Sequence, residues 1–377
     1  MNNKPLDGIT VLDFSIIMSG PLCTRMLADA GATVIKIEPL SGDTLRNAPP
    51  FIDNVSAYYG SLNCGKKSIV LDLKNPKEVE IVRNLAASAD IIVENFKPGV
   101  MKRLGLDYES LQENNKRLIY TSISGYGQTG PLSSLAATAP AIQAASGYEL
   151  SQLGYQPNTD KPATCGIFIA DVLGGSNAFA AIQLALYERE KSGMGQYIDV
   201  SLMDCMLSVL ISEVQTAQNP AEKKRLVYEP IKTKDGWFMV TPVTLKTVHS
   251  IFDAIGYPEG KTDSRFLTVK DKEEHKEIIT NLINEWAIDK TSHECEEVFN
   301  NYGIPCAAYK TVKEVVDGSH LTERGSLSTI DIGSTAFKVV NSPFKLSRTP
   351  VQACNSIAQL GEHNEEILGR KVENKDE

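Results

Sequence analysis

Ile9-Thr-Val-Leu-Asp-Phe14, then a helical pattern from about Pro21, then Thr33-Val-Ile-Lys-Ile-Glu38: this stretch reads as strand, helix, strand. Both strand runs are almost continuously apolar and β-branched, as strands covered on both faces are. The same alternation continues outward. Ser68–Leu73 is a third strand, followed after Asn75-Pro76 by a helix through Glu78–Ala87; Asp90–Glu94 and Leu118–Ile123 follow. Gln196–Ser201 adds a strand, and Leu202–Gln218 a helix rich in Met, Leu and Val. Repeated βα alternation of this kind predicts an α/β fold with a Rossmann-like, mostly parallel sheet.

The composition changes at the charged segment Asn219-Pro-Ala-Glu-Lys-Lys-Arg225, which suits a linker. Beyond it, Lys234-Asp235-Gly236 between Pro230–Thr233 and Trp237–Thr241 signals a hairpin. Amphipathic helices are expected around Asp271–Trp286, starting at Asp271 with Glu274, and around Ser292–Tyr302. Residues 219–329 thus form a second, smaller α+β domain. Residues 1–218 form the larger one, completed by 330–377 through Val339–Leu346 and a last helix near Glu362–Leu368.

The chain has 377 residues, 42% of them hydrophobic, and a formal net charge of −9, with a pI near 5.3. That balance argues against nucleic acid or an anionic membrane as partner. No window approaches 18 consecutive apolar residues and the N-terminus lacks a signal-peptide core, so no membrane span or export is expected. Seven scattered cysteines without a C-x-x-C pair fit thiols in a reducing cytoplasm, with no disulfide framework and no metal site. All five histidines lie beyond residue 248, so chemistry in the first two-thirds must rest on a carboxylate.

Asp171 is the leading candidate. It follows the apolar run Cys165–Ala170, read as buried, and opens a helix rich in Ala and Gly. There it sits at the positive end of a helix dipole, as an N-cap or as a reactive carboxylate. Gly125-Tyr-Gly127-Gln-Thr-Gly130 matches a dinucleotide-binding pattern, but on a late strand and followed by Pro131. It reads as a close-approach turn, with an NAD-binding oxidoreductase as an alternative. Lys66, Lys67 and Lys74 around the third strand, and Lys97, Lys102 and Arg103 after the fourth, place positive charge near strand carboxyl ends. Such charge suits a small polyanion or plain solvated surface.

Together these residues resemble a class III coenzyme A-transferase of the CaiB/BaiF family, the group that contains formyl-CoA:oxalate and carnitine CoA-transferases. The resemblance runs along the whole chain. It rests on Pro5-Leu-Asp-Gly8, Gly20-Pro21, Gly31-Ala-x-Val-Ile-Lys-Ile-Glu38, Gly42-Asp-x-x-Arg46 and Asn63-x-Gly-Lys-Lys-Ser68. Further matches are Leu71-Asp-Leu-Lys74, Val93-Glu-Asn-Phe-Lys-Pro-Gly99, Ser124-Gly-Tyr-Gly-Gln-Thr-Gly-Pro131, Ala170-Asp171, Gly303-Ile-Pro305 and Leu360-Gly-Glu-His363. It implies that Asp171 is the catalytic aspartate, acting through an aspartyl anhydride and an aspartyl-CoA thioester. Leu71, Lys74, Asn95, Phe96, Lys97 and Arg103 would line coenzyme A, with Met18 and Ser19 at its thioester end and Tyr58 and Thr138 at the acyl pocket. Acyl-CoA and a carboxylic acid would be substrates, with no permanently bound cofactor, and the protein an interlocked homodimer.

Three departures bear on the acyl pocket. Met18 stands where a glutamine is frequent, Thr138-Ala139 replaces a Tyr-Asp pair, and Thr241-Pro-Val-Thr244 occupies the place of a glycine-rich loop. No particular acid, oxalate included, therefore carries over. The family's racemase branch uses a histidine at the position of Thr138; threonine cannot take a proton near pH 7, which disfavours that alternative.

Overall fold

The computed structural model describes residues 4–156, 159–162, 165–220 and 227–370. The chain forms two compact units, Met1–Pro220 with Thr322–Glu377, and Ala221–Leu321. The larger holds six parallel strands: β1 (Thr10–Asp13), β2 (Thr33–Glu38), β3 (Lys67–Val70), β4 (Ile91–Glu94), β5 (Ile119–Ser124) and β6 (Tyr197–Ser201). They lie in the order β3-β2-β1-β4-β5-β6. Alternate side chains feed two cores. Val11, Ile91, Val93 and Ile119 pack on one face with Ala178 and Ile182, while Leu12, Ile92 and Tyr120 pack on the other with Val79 and Val82. Burial on both faces is the reason these strands read as unbroken apolar runs.

The strand order fixes where a ligand can sit. From β1 the chain builds outward through β2 and β3, then returns to the other side of β1 for β4. At such a reversal the connections diverge and leave a crevice beyond the carboxyl ends of the two central strands. Helix α1 (Ser19–Asp29) leaves from the end of β1, and α2 (Pro76–Ala86), capped by the Asn75 side chain, follows β3.

Helix α3 (Ile169–Ser192) leads into β6, so it runs against the strands and its first turn lies on the carboxyl edge. Gly175 permits the close approach of α1, and Gly174 that of Leu202. A Cβ on Gly175 would stand 2.5 Å from the Ser19 carbonyl oxygen, and one on Gly174 2.3 Å from Leu202 Cδ2. At the opposite end Arg189 is buried; its Nη2 pairs with Asp90 Oδ1 at 3.0 Å and its Nη1 donates to the Arg117 carbonyl at 3.0 Å. By length and composition α3 could cross a membrane, a feature that counting consecutive apolar residues overlooks. Its Ala178, Ile182 and Ala185 are buried in the sheet core.

Several expectations need correction. The run Cys165–Ala170 is not a buried segment: Ile167 is 71% exposed. The cap of α3 is Phe168, so Asp171 lies inside the first turn and is not the N-cap. The helix expected over Leu202–Gln218 is two helices, Leu202–Leu207 and Ile211–Gln218. Residues 322–329, assigned from sequence to the smaller domain, belong to the larger unit. Leu327–Ile332 pairs with Thr335–Val340, and Ile330 and Val339 of this hairpin pack on Cys64.

In the smaller unit Ile231–Lys232, Trp237–Val240 and Cys306–Ala308 form an antiparallel sheet. Helices Leu245–Ala254, Lys276–Ala287 and Ser292–Asn301 supply a core around Phe238, Phe252, Phe266 and Phe299. The helix expected from Asp271 starts earlier, at a capping box in which Thr268 pairs with Asp271, and breaks at His275. All seven cysteines are free thiols.

Candidate active site

The β1–α1 loop is held from three sides. The Asp13 carboxylate accepts the Ser15 N–H at 2.9 Å and the Ser15 hydroxyl, while Lys36 Nζ donates to the Ser15 carbonyl at 2.7 Å. Across the switch point, Asn95 Oδ1 accepts the Ile16 N–H at 2.9 Å and its Nδ2 donates to the Ile16 carbonyl at 2.8 Å. Ile17 takes up the remaining geometry with φ +66°, a left-handed conformation that β-branched residues avoid. Strain of this kind persists where the surroundings over-determine the backbone, and it concentrates at functional sites.

What the loop delivers is Met18 and Ser19. Asn95 Nδ2 also reaches Ser19 Oγ at 3.3 Å, and the Ser19 side chain is near enough to Asp171 to lower its pKa. The Tyr58 hydroxyl donates to Met18 Sδ at 3.6 Å. Burial raises the Tyr58 hydroxyl above its ordinary value, and the Asp171 charge adds to the effect. The structure therefore brings Asp171, Ser19, Met18, Tyr58 and Asn95 into one cluster at the carboxyl edge. Burial pushes Asp171 from its ordinary 3.8 up to about 6, against the opposing pull of the nearby Ser19 side chain. At pH 7 to 8 the group is still mostly ionised, and it is less solvated than a surface aspartate.

The basic residues divide. Lys66 is buried, with Nζ within 3.0 Å of Asp13 Oδ2 and the Pro21 carbonyl, 2.7 Å of Thr24 Oγ1 and 2.8 Å of Asn63 Oδ1. Lys67 pairs with Glu366. Neither offers a free charge to a polyanion. Lys74 lies exposed beyond β3, and Lys97, Lys102 and Arg103 are exposed beyond β4. Phe96 is half-buried, its N–H bonded to Glu94 Oε2 at 2.7 Å. Burial raises the Glu94 carboxyl to about 7 despite that bond and one from Ser122. Leu71 is buried in the core, so a ligand there would meet its backbone.

Thr138 is exposed at the start of the helix Ala139–Ala145, and Gln143 of that helix accepts the Ala170 N–H at 3.5 Å. The glycine pattern at 125–130 follows β5, and the next helix starts only at Ala139. A Cβ on Gly125 would stand 2.1 Å from Ala137 Cβ, and the Gln128 N–H bonds Asp199 Oδ2 at 2.9 Å. This is a close-packed turn, without the helix N-terminus that a dinucleotide loop requires. Among the described residues no group of His, Cys, Asp and Glu side chains could hold a metal ion.

An α/β sheet with a half-buried carboxylate of raised pKa and exposed basic loops at its switch point fits an enzyme that handles an anionic cosubstrate. The sequence matches CoA-transferase family III over residues 6–364, and the chain belongs to that family. It is 32% identical to the succinate–glutarate CoA-transferase of Agrobacterium fabrum, covering 97% of this chain and 96% of that one. It is also 32% identical to the succinyl-CoA–D-citramalate CoA-transferase of Chloroflexus aurantiacus (97% and 93%), and 33% identical to the acetyl-CoA:oxalate CoA-transferase of Acetobacter aceti (91% and 89%). The crystal structure of a CaiB/BaiF family protein from Brucella suis superposes with a TM-score of 0.85 at 30% identity, covering 97% of this chain and 99% of that one. The protein is a class III CoA-transferase, acting on an acyl-CoA and a carboxylate.

Sequence reasoning missed Asp13 and Lys36 among the groups that hold the site, and read the buried Lys66 as a charge open to a polyanion or solvent. A signal was present: Asp13 and Lys36 are the charges inside otherwise apolar strands, and a charge in that setting is paired when buried.

Proposed function

We propose that Asp171 is the nucleophile that carries CoA transfer. The observation that supports this reading is its half-buried carboxylate, raised by burial and set at the switch-point edge. An Asp171 oxygen attacks the thioester carbonyl of the donor; a C–O bond forms, the C–S bond breaks, and CoA leaves as thiolate. The thiolate then attacks Asp171 Cγ, forming an aspartyl-CoA thioester and releasing the first acid as carboxylate. The acceptor carboxylate reverses both steps. A carboxylate is a weak nucleophile, so proximity and partial desolvation must make up the difference.

The exposed Lys74, Lys97 and Arg103 are positioned to meet the CoA phosphates, with Asn95 and Phe96 beside them. Arg103→Ala or Lys74→Ala should raise the KM for acyl-CoA about ten- to a hundredfold, the range for one lost charge-assisted hydrogen bond. Unchanged KM in both variants would remove these residues from the site. The relatives named above act on succinate, glutarate, D-citramalate and oxalate, so short dicarboxylic acids are the first acceptors to try. A matrix of acyl-CoA donors against mono- and dicarboxylic acids, read by mass spectrometry, tests the function. Failure to form any new CoA ester would refute it.

Homodimerisation belongs to the same reading. Leu184 and Tyr187 on α3, and Leu207, Val209 and Ile211 near it in sequence, are large apolar side chains between 42% and 73% exposed. Large apolar side chains that come together on a surface mark an interaction site. Sedimentation should give twice the chain mass of 41.2 kDa. An active species at the single-chain mass would contradict this.

A further inference from the structure

Glu94 is a buried carboxylate that the transfer chemistry leaves unused. It is the last residue of β4, lies opposite Ser122 of the parallel β5, and is 4% exposed. The titratable groups that face it are Tyr120 of β5 and Tyr197 and Asp199 of β6, none of them cationic. A buried carboxylate without a counter-ion opposes folding, and an apolar side chain of similar size would serve the core better. What the carboxylate does hold is the backbone two residues on: Glu94 Oε2 accepts the Phe96 N–H at 2.7 Å. Asn95, between them, clasps the N–H and the carbonyl of Ile16 at 2.9 and 2.8 Å. Further along, the Lys97 carbonyl accepts the Val100 N–H at 3.1 Å, and Gly99 turns with φ +82° into the short helix Val100–Leu104. A Cβ on Gly99 would stand 3.4 Å from Arg103 Nη1, so the guanidinium lies back over this turn. Lys97 and Arg103 thus share one turn of backbone, and Glu94 pins its entry.

We propose that Glu94 is a positioning residue for CoA, setting the turn that offers Phe96, Lys97 and Arg103 to the cosubstrate. The proposal rests on the CoA-binding reading given above. Without the Glu94 bond the peptide joining Asn95 to Phe96 is free to rotate, and the freedom so gained must be lost again on binding. Asn95 keeps its own two bonds to Ile16, so the β1–α1 loop with Met18 and Ser19 stays in place. The effect therefore falls on CoA affinity and spares the chemical steps.

Glu94→Leu and Glu94→Gln test this as a pair. Leucine removes the acceptor, whereas glutamine keeps an amide oxygen for the Phe96 N–H. In E94L the Kd for free CoA by calorimetry and the KM for acyl-CoA should each rise about tenfold, the scale of one lost hydrogen bond to a charged group. Its kcat at saturating acyl-CoA should stay within about threefold of wild type, the pattern of lost uniform binding. E94Q should bind CoA nearly as the wild type does. Burial raises the Glu94 carboxyl to about 7, so at pH 8 its charge opposes folding, and the urea midpoint of E94L should not fall. Weaker binding by a variant that is no less stable separates positioning from a merely structural role. E94L binding CoA like the wild type, E94Q binding no better than E94L, or E94L melting in urea well before the wild type would each overturn the role of Glu94. Unchanged KM in Arg103→Ala and Lys74→Ala would instead remove the CoA reading on which the proposal depends.

Discussion

Asp171→Ala is expected to abolish CoA transfer while leaving the protein folded. Asp171 is not the cap of α3, so its removal forfeits no cap hydrogen bond. Its folded pKa is raised, to about 6 from 3.8, so the unfolded chain ionises it more readily than the folded one. Such a group opposes folding at every pH above that range, and the penalty fades only as pH falls from about 6 toward 3.8. The alanine variant should therefore be at least as stable as the wild type at pH 8, the usual trade of stability for activity at a catalytic group. Asp171→Glu should also fail. One added methylene displaces the attacking oxygen by about 1 Å, enough to cost roughly a hundredfold. Hydroxylamine added during turnover should leave a hydroxamate on the peptide containing Ala170-Asp171. Substantial transfer by Asp171→Ala would return the residue to a structural role.

The second large effect is on stability. Lys66 and Lys67 are neighbours in sequence with opposite surroundings. Lys66→Ala leaves Asp13, fully buried, without its nearest counter-ion; breaking such a pair costs about 3–5 kcal/mol. Burial alone would raise Asp13, yet Lys66, Lys36 and the hydroxyls of Ser15 and Thr24 hold it at about 2. Its contribution is thus present above pH 3.8 and is lost as pH falls toward 2. Lys67 pairs with Glu366 at the surface, both side chains more than a third exposed, so Lys67→Ala should cost no more than about 1 kcal/mol. Urea denaturation of the two variants side by side decides the matter. Equal midpoints would mean that the Asp13–Lys66 pair does not anchor the loop.

Much of the larger unit was legible because its strands are apolar on both faces and its helices carry ordinary start signals. Thr33–Glu38 agrees residue for residue, and Asn75-Pro76 marks the start of α2. Other parts depended on tertiary context. Cys165–Ala170 has a core composition but ends as an exposed approach to α3, since burial is decided by what packs against a segment. Lys66 and Lys67 look alike in sequence; only the way the chain enters β3, paired on β2, turns one inward to Asp13 and the other out to Glu366. For the site, the family resemblance supplied Asp171, Ser19 and Asn95 as positions. It could not supply the geometry by which the Asn95 amide grips Ile16 and Ser19 at once, because that contact joins chain segments 76 to 79 residues apart.

The helix that carries Asp171 behaves mechanically like a beam clamped near both ends. Near its start it is seated on α1 at Gly175, and Arg189, about 27 Å beyond Asp171 at 1.5 Å per residue, is bolted to the chain just before β4 and β5. A beam so supported has little room to slide or tilt. On the proposed mechanism the attacking oxygen is then a fixed point of reference, and fitting acyl groups of different length falls to the segments around it. Loosening the remote clamp at Arg189 would blur that reference without altering a single group that touches substrate.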